Sequence, residues 1–238
     1  MNDSVLGVVP ARGGSKRVPR KNLAEVAGKP MVARAVEQAE SADALDEVVV
    51  STDDDEIRRV SREHGGYAPF ERPEELATDT ASSADVLDHA LSWYETERDE
   101  TFDVVAMIQV TTPLRTPADV DGALERLRET DADSVATVTK YHTPPVWAVY
   151  EADDRLRQFF DGDYLWTDDE VPRSQDLPTL YYPNGAVFAA RVEAFRRADG
   201  FYTDHTVGYE MPPERSIDVD EPFELWMVRA LAEYEVEV

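Results

Sequence analysis

The sequence predicts an open, doubly wound α/β sheet, mostly parallel, carrying one inserted arm. Three observations predict it. Short, continuous apolar runs recur along the chain, as in strands buried on both faces by flanking helices. Segments with helical apolar spacing alternate with those runs. Both patterns lapse over residues 141–179 and then resume. A chain of 238 residues suits a single domain over 1–238. A chain of that size buries about 70% of its unfolded surface and forms its core without staples.

The elements follow in order. Val5-Leu6-Gly7-Val8-Val9 reads as the first strand. Pro30 opens a helix at its first turn, with Val32, Ala35, Val36 and Ala39 on one face. Val48-Val49-Val50 is the next strand. Ser82 or Ser83 caps a second helix that buries Val86, Leu87, Ala90, Leu91 and Tyr94. Val104 to Ile108 is a strand, and Thr116-Pro117 opens a third helix with Val120, Leu124 and Leu127 inward. Val135 to Val138 is a further strand. Residues 141–179 are rich in Pro, aromatics and charge, which suggests hairpin pieces. Exposed aromatics there (Trp147, Tyr150, Phe159, Phe160, Tyr164, Trp166) favour a subunit contact over a lid on the same chain. Gly185 to Ala189 resumes the sheet. A last helix follows Asp220, with an expected inward stripe of Phe223, Trp226, Met227, Ala230, Leu231 and Tyr234.

Fifty acidic residues face twenty-four basic ones, a formal net charge of −26. With 42% apolar residues the chain is not a disordered acidic tail. Carboxylates in such excess fit a halophile surface, solvated and screened by concentrated salt. The same field repels nucleic acid, so neither DNA nor RNA is an expected partner. Cysteine is absent, which excludes disulfides and thiolate metal sites. No apolar run is long enough to span a bilayer, and Met1 to Ser4 lacks signal character, so a cytoplasmic location without membrane attachment is expected.

Against this charge, five basic residues fall within positions 12–21, Arg12-Gly13-Gly14-Ser15-Lys16-Arg17-Val18-Pro19-Arg20-Lys21. The segment follows the carboxyl end of the first strand, where open α/β sheets bind ligands. Gly13 and Gly14 let backbone amides approach a ligand. Amides, a hydroxyl and several cations form a polyphosphate cradle. Neither a Walker loop nor a dinucleotide fingerprint is present. An NAD-binding reading with Asp53 on the ribose therefore lacks its glycine pattern.

Near the C-terminus, Ser216-Ile217-Asp218-Val219-Asp220 alternates in polarity. If extended, it presents Asp218 and Asp220 on one side. Such a pair suits magnesium, which takes one or two protein carboxylates with waters and phosphates. Asp220 is equally placed to cap the last helix.

Pro10 to Lys16 with Lys21-Asn22-Leu23, then Ser51-Thr52-Asp53, Ala77 to Ser83, Gln109 to Arg115, Pro183-Asn184-Gly185-Ala186 and Ser216 to Asp220 occur in this order. The set resembles the acylneuraminate cytidylyltransferases, over nearly the whole chain. The resemblance implies a nucleotide-diphospho-sugar transferase-like fold whose inserted arm makes a homodimer. It also implies transfer of CMP from CTP to a nine-carbon acidic sugar, sialic or legionaminic acid, with Mg2+ as cofactor.

Arg12, Ser15, Lys21 and Asn22 would then hold the CTP phosphates, with Lys21 stabilising charge on the α-phosphate. Arg72, Ala81 and Ser82 would read cytosine. Gln109, Asn184 and, from the arm, Arg173 would contact the sugar, and Asp218 and Asp220 would hold magnesium. Tyr182 stands where sialic-acid-using relatives often have Arg. The alternatives are a cytidylyltransferase for the shorter deoxy-octulosonate (Kdo-like) sugar and a catalytically silent sugar-nucleotide-binding subunit. No histidine stands out as a base. His64 and His89 lie on expected helices, and His142 and His205 lie nearer the expected sugar side.

Overall fold

The computed structural model describes residues 3–162, 164–166 and 171–235. In chain order its elements are β1 (Val5–Pro10), β2 (Glu25–Val26), β3 (Lys29–Pro30), α1 (Met31–Glu40), β4 (Glu47–Ser51), α2 (Asp55–Glu63), α3 (Ser83–Glu97), β5 (Val104–Ile108), α4 (Pro117–Glu129), β6 (Ser134–Lys140), β7 (Val149–Ala152), β8 (Arg155–Gln158), β9 (Tyr181–Arg191), α5 (Val192–Ala198), β10 (Thr206–Glu210) and α6 (Pro222–Glu235).

Among the described residues the central sheet runs β10-β6-β9-β5-β1-β4. β1 pairs parallel with β4 and β5, and β6 pairs parallel with β10. β9 alone runs against its neighbours β5 and β6. The expected mostly parallel sheet is therefore present. Parallel strands bring the carboxyl ends of β1, β4, β5 and β6 to one edge. Reversal of β9 brings its amino end, Tyr182 to Gly185, to that same edge.

Side chains of β1 alternate between the two faces of the sheet. Val5 and Val9 join a core with α1, α4 and α6, through Val36, Leu124 and Val228. Leu6 and Val8 join the opposite core with α3 and α5, through Leu87, Leu91 and Phe195. Each fully buried Val or Leu contributes about 1.5–3 kcal/mol. Ser82 caps α3, its hydroxyl accepting the Asp85 N–H at 3.0 Å. The acidic run Asp53 to Glu56 opens the helix expected around His64, a start not read from the sequence; His64 itself is the C-cap. Asp54 accepts the Ile57 N–H at 2.9 Å, and Asp55 and Glu56 sit in the first turn of α2, where negative charge meets the positive helix end.

Two expectations are corrected. In α6 the buried residues are Leu225, Val228 and Ala232, with Met227 and Leu231 half-buried. Phe223, Trp226 and Tyr234 point outward at 64, 64 and 68% exposure, and Ala230 is exposed. This helix is apolar on two faces, so its periodicity does not choose between them. The space over the sheet accepts Leu, Val and Ala, and the larger rings face out. The segment Ser216 to Asp220 is not a strand. One bond, from Val219 N–H to the Thr111 carbonyl at 2.8 Å, docks it on the chain after β5. Val219 is buried and Asp220 exposed.

Within residues 141–179, β7 and β8 form the expected hairpin. Tyr150, Phe159, Phe160 and Trp166 are exposed, while Trp147 and Tyr164 are half-buried. Positions 163 and 167–170 of this arm lie outside the described residues. No helix among the described residues is long and apolar enough to cross a membrane.

Candidate active site

The basic loop leaves the sheet at the carboxyl end of β1. Ala11 N–H still pairs with the Ser51 carbonyl at 2.9 Å, and the loop then turns out of the sheet. Asn22, itself buried, closes it by donating from Nδ2 to the Arg12 carbonyl at 2.8 Å. Gly13 donates its N–H to Asp53 Oδ1 at 3.0 Å, and a Cβ there would lie 2.8 Å from the Asp54 carboxylate. Gly13 thus lets the loop dock beside β4, whereas Gly14 and Ser15 line the open cleft. Asp53 is a brace of this loop and not a ribose contact.

All five cations of the loop have carboxylate partners from distant elements. Arg12 Nη1 lies 2.7 Å from Asp79, which also pairs with Lys16. Arg17 pairs with Glu221, and Arg20 with Asp54 and Glu56. Lys21 Nζ donates to Asp220 Oδ1 at 2.9 Å and to the Val219 carbonyl at 2.8 Å. Lys16 and then Arg12 hold the Asp79 carboxyl below its ordinary range. Most of these pairs are exposed, and such pairs are worth only about 0–1 kcal/mol each. They keep the loop cations in place, and so weak a set of pairs is exchanged for another anion at small cost.

Arg12, Gly14, Ser15, Lys21 and Asn22 line one side of a cleft of about 290 Å³. Arg72, Asp79, Ala81 and Ser82 line the facing side, and Gln109 and Thr111 from the end of β5 close it. Nine residues expected from the sequence to hold nucleotide or sugar therefore share one cleft. Arg72 is buried, donating to the Ser51 carbonyl at 2.6 Å and to Ser51 Oγ at 3.0 Å. Burial pushes its guanidinium down to about 10, with Asp53 opposing. Its remaining face is a fixed donor on the cleft wall. Ser82 Oγ is engaged in the α3 cap, so its contribution to a ligand is through the cap's geometry and free lone pair.

Beyond Gln109 the cleft meets a second one, lined by Tyr182, Asn184, Ile217, Asp218, Glu224 and Met227 among others. Gly185 sits between them at φ +76°, and a Cβ there would lie 3.3 Å from Asp218 Oδ2 and 3.4 Å from Gln109 Oε1. Asp218 Oδ1 is buried and has no hydrogen-bond partner among the described residues. Burial raises the Asp218 carboxyl above its ordinary range, against a hydrogen bond from Thr111. A buried, unpartnered carboxylate oxygen beside a second carboxylate is a donor set that fits a hard divalent cation. Among the described residues no three or more His, Cys, Asp or Glu converge. A metal here would take its other ligands from phosphate and water. Asp220 is not the cap of α6, because Glu221 precedes the helix and donates its N–H to Glu224 Oε2 at 2.7 Å.

Two sugar-side residues behave differently from the rest. Asn184 lines the second cleft, but its amide is committed inward. Oδ1 accepts from Thr137 Oγ1 at 2.6 Å, and Nδ2 donates to Ser216 Oγ at 2.8 Å. Arg173 is exposed on the arm, beside the 3-10 turn Ser174–Asp176, and does not line either cleft. Of the histidines, His64 pairs with Glu37 and His89 packs edge-on to Phe70, as structural residues do. His205 precedes β10, at the sheet edge opposite the cleft, so it is not near the sugar side.

Residues 6–226 match the family described as Cytidylyltransferase. The chain belongs to that family. Three curated relatives place it further. It is 34% identical to the N-acylneuraminate cytidylyltransferase of Streptococcus agalactiae, over 90% of this chain and 49% of that protein. The chain thus spans about half the length of the N-acylneuraminate relatives it matches first. It is 31% identical to the pseudaminic acid cytidylyltransferase of Campylobacter jejuni, over 90% of each. It is 30% identical to the CMP-N,N'-diacetyllegionaminic acid synthase of Legionella pneumophila, over 96% of each. Among solved structures, a CMP:2-keto-3-deoxy-manno-octonic acid synthetase complexed with CTP superposes with a TM-score of 0.69 at 22% identity, covering 98% of this chain and 99% of that one. That likeness establishes the nucleotidyltransferase fold of this cytidylyltransferase-family chain and nothing about its sugar.

Proposed function

We propose that this chain transfers CMP from CTP to the anomeric hydroxyl of a nonulosonic acid and releases pyrophosphate, with magnesium as cofactor. The observation that carries the reading is the single cleft in which the phosphate-loop residues, Arg72 and Gln109 converge, one Cβ-width from Asp218. Full-length relatives named for nonulosonic acids support the substrate class.

The protein's part in the reaction is positioning and charge stabilisation. Arg12, Ser15 and the Gly14 backbone hold the β- and γ-phosphates, and Asn22 keeps that loop closed through the Arg12 carbonyl. Arg72 and the Ala81-Ser82 segment receive the pyrimidine edge. Gln109 orients the sugar. Lys21, held between the Val219 carbonyl and Asp220, meets the charge that builds on the α-phosphate. Asp218 and Asp220 would hold magnesium, which supplies Lewis acidity at the phosphate and lowers the pKa of a bound hydroxyl. A reaction that consumes CTP belongs in the cytoplasm.

The test is a screen of CTP, UTP, ATP and GTP against sialic, legionaminic, pseudaminic and deoxy-octulosonic acids, read as pyrophosphate release. CTP with a nine-carbon acid is the expected active pair. Turnover with another nucleotide well above that with CTP would overturn the cytosine assignment. Within the panel we expect a higher kcat/KM for legionaminic than for sialic acid. Tyr182, packed on Tyr141 with ring centroids 4.8 Å apart, offers a neutral ring beside Ile217 and Met227. That surface suits a methyl-bearing tail over a glycerol tail, by about 1–3 kcal/mol at most. Tyr182→Arg narrows or reverses the ratio. An unmodified protein with the opposite ratio refutes the tail assignment alone.

We further propose a homodimer built through residues 141–179, whose exposed Tyr150, Phe159, Phe160 and Trp166 need cover. Arg173 then reaches the sugar carboxylate across the interface, as a charge-assisted donor. Light scattering should report a dimer for the full chain and a monomer when the arm is shortened. A shortened chain that stays dimeric removes the arm from the interface.

A further inference from the structure

Arg115 has the largest fully buried side chain among the described residues, at 1% exposure. No carboxylate pairs with it among the described residues. Its hydrogen-bond partners are neutral oxygens from three separate segments. Nη1 donates to the Gln109 carbonyl at 2.8 Å and to the Ala186 carbonyl at 2.9 Å, and Nη2 donates to Gln38 Oε1 of α1 at 2.9 Å. Gln38 in turn donates to the Pro113 carbonyl at 3.0 Å. Nε has no partner. Asp119, the carboxylate that acts on it through space, is already held by both arms of Arg215.

A buried cation without a counter-ion is costly, and an apolar side chain of equal size would fill the space more cheaply. The cost points to what the guanidinium holds. Gln109 and Ala186 are the first residues past the last β5–β9 pair, Ile108 with Val187, and a 3.3 Å bond from Gln109 N–H to the Ala186 carbonyl is their only direct ladder contact. Here β5 ends and β9 enters through the left-handed Gly185. Gln109 Oε1 and Asp218 Oδ2 both crowd the Cα of Gly185 at this corner, each within 3.4 Å of where a Cβ would stand. It is also where the nucleotide cleft joins the second cleft.

We infer that Arg115 is a positioning residue: from inside the core it fixes the Gln109–Gly185 corner and thereby orients the acidic sugar against the nucleotide's α-phosphate. The inference rests on the cytidylyltransferase reading for the reaction, but its structural half stands without it. The planar guanidinium, and not the charge alone, does the holding, because Nη1 spans both carbonyls while Nη2 anchors the group to Gln38. Among the described residues no hydrogen bond links Arg115 to the phosphate loop or to the 72–82 segment, so CTP binding in the absence of sugar should depend on it little.

The experiment compares Arg115→Met, Arg115→Lys and Gln38→Leu with the unmodified full chain. For both Arg115 variants the sugar kcat/KM should fall about ten- to hundredfold, the size of a misplacement near 1 Å. The Kd for CTP, from titration without sugar, should stay within about twofold, within ordinary context scatter. Gln38→Leu should move the sugar kcat/KM in the same direction by less. Hydrogen exchange should accelerate in peptides spanning 106–110 and 183–188 and stay unchanged in one spanning 12–22. Proportional losses in CTP affinity and sugar kcat/KM would mean a general structural role and overturn the proposal. So would unchanged exchange with unmodified sugar kinetics. If Arg115→Met does not fold, Arg115→Lys and Gln38→Leu decide. If the unmodified chain uses no acidic sugar, the function reading fails, and the exchange result still tests whether Arg115 holds the corner.

Discussion

Replacing Lys21 with alanine is expected to lower kcat by about two to four orders of magnitude, the range for losing a group that stabilises transition-state charge. Lys21 is the least exposed cation of its loop, its side chain at 15%, and it is held by two acceptors from the Val219-Asp220 segment. It is therefore preorganised, whereas Lys16, Arg17 and Arg20 are exposed and paired with exposed carboxylates. Several cations share the ground-state binding of the phosphates, so the KM for CTP should move far less than kcat. Lys21→Arg should not restore turnover, because a planar fork does not reproduce a point charge between a carbonyl and a carboxylate. Steady-state pyrophosphate release at saturating CTP and sugar measures it. A Lys21→Ala protein within a few-fold of the unmodified kcat would remove the side chain from the reaction.

Asp218→Ala should abolish most of the magnesium response, with turnover down about a hundredfold or more, since a Lewis acid at the phosphate is worth several kcal/mol. The two acids are not equivalent. Asp218 is half-buried with one oxygen unpartnered, so its environment is complete only when that oxygen is ligated. Asp220 is 57% exposed at its side chain and already bound to Lys21. Removing Asp220 should weaken the magnesium response and loosen Lys21 together. Its effect should thus be non-additive with Lys21→Ala, as for groups sharing one network. A magnesium titration of each variant and of the double variant is the measurement. Unmodified kinetics across the titration for Asp218→Ala would exclude it as a ligand. The same outcome for Asp220→Ala would leave that residue only its ion pair with Lys21, since Glu221 and Glu224 close the helix without it.

Five strands of the central sheet, the capped start of α3 and the cationic loop were legible because each is written locally. Continuous Val and Leu runs require burial on both faces, and a serine before an apolar-periodic segment caps it. Five cations in an acidic chain mark an anion site whatever lies nearby. The acid run at 53–56 was legible only as charge, although it caps α2 and braces the loop through Asp53. β10 and α5 went unread, being short and weakly patterned.

What the sequence by itself determined is five of the central sheet's six strands, most of the cleft residues and the family, because these rest on backbone preference, burial period and residue order. Only the tertiary structure decided the rest. It reversed β9, so that Gly185 reaches the nucleotide edge. It chose the small-residue face of α6 for burial and left Phe223, Trp226 and Tyr234 outside. It turned the Asn184 amide inward and gave Asp218 and Asp220 unlike surroundings. It also buried Arg115 under the corner that joins the two clefts. Each of these depends on which distant segments fill the space around a side chain, and that is fixed by packing between elements, which no local period records.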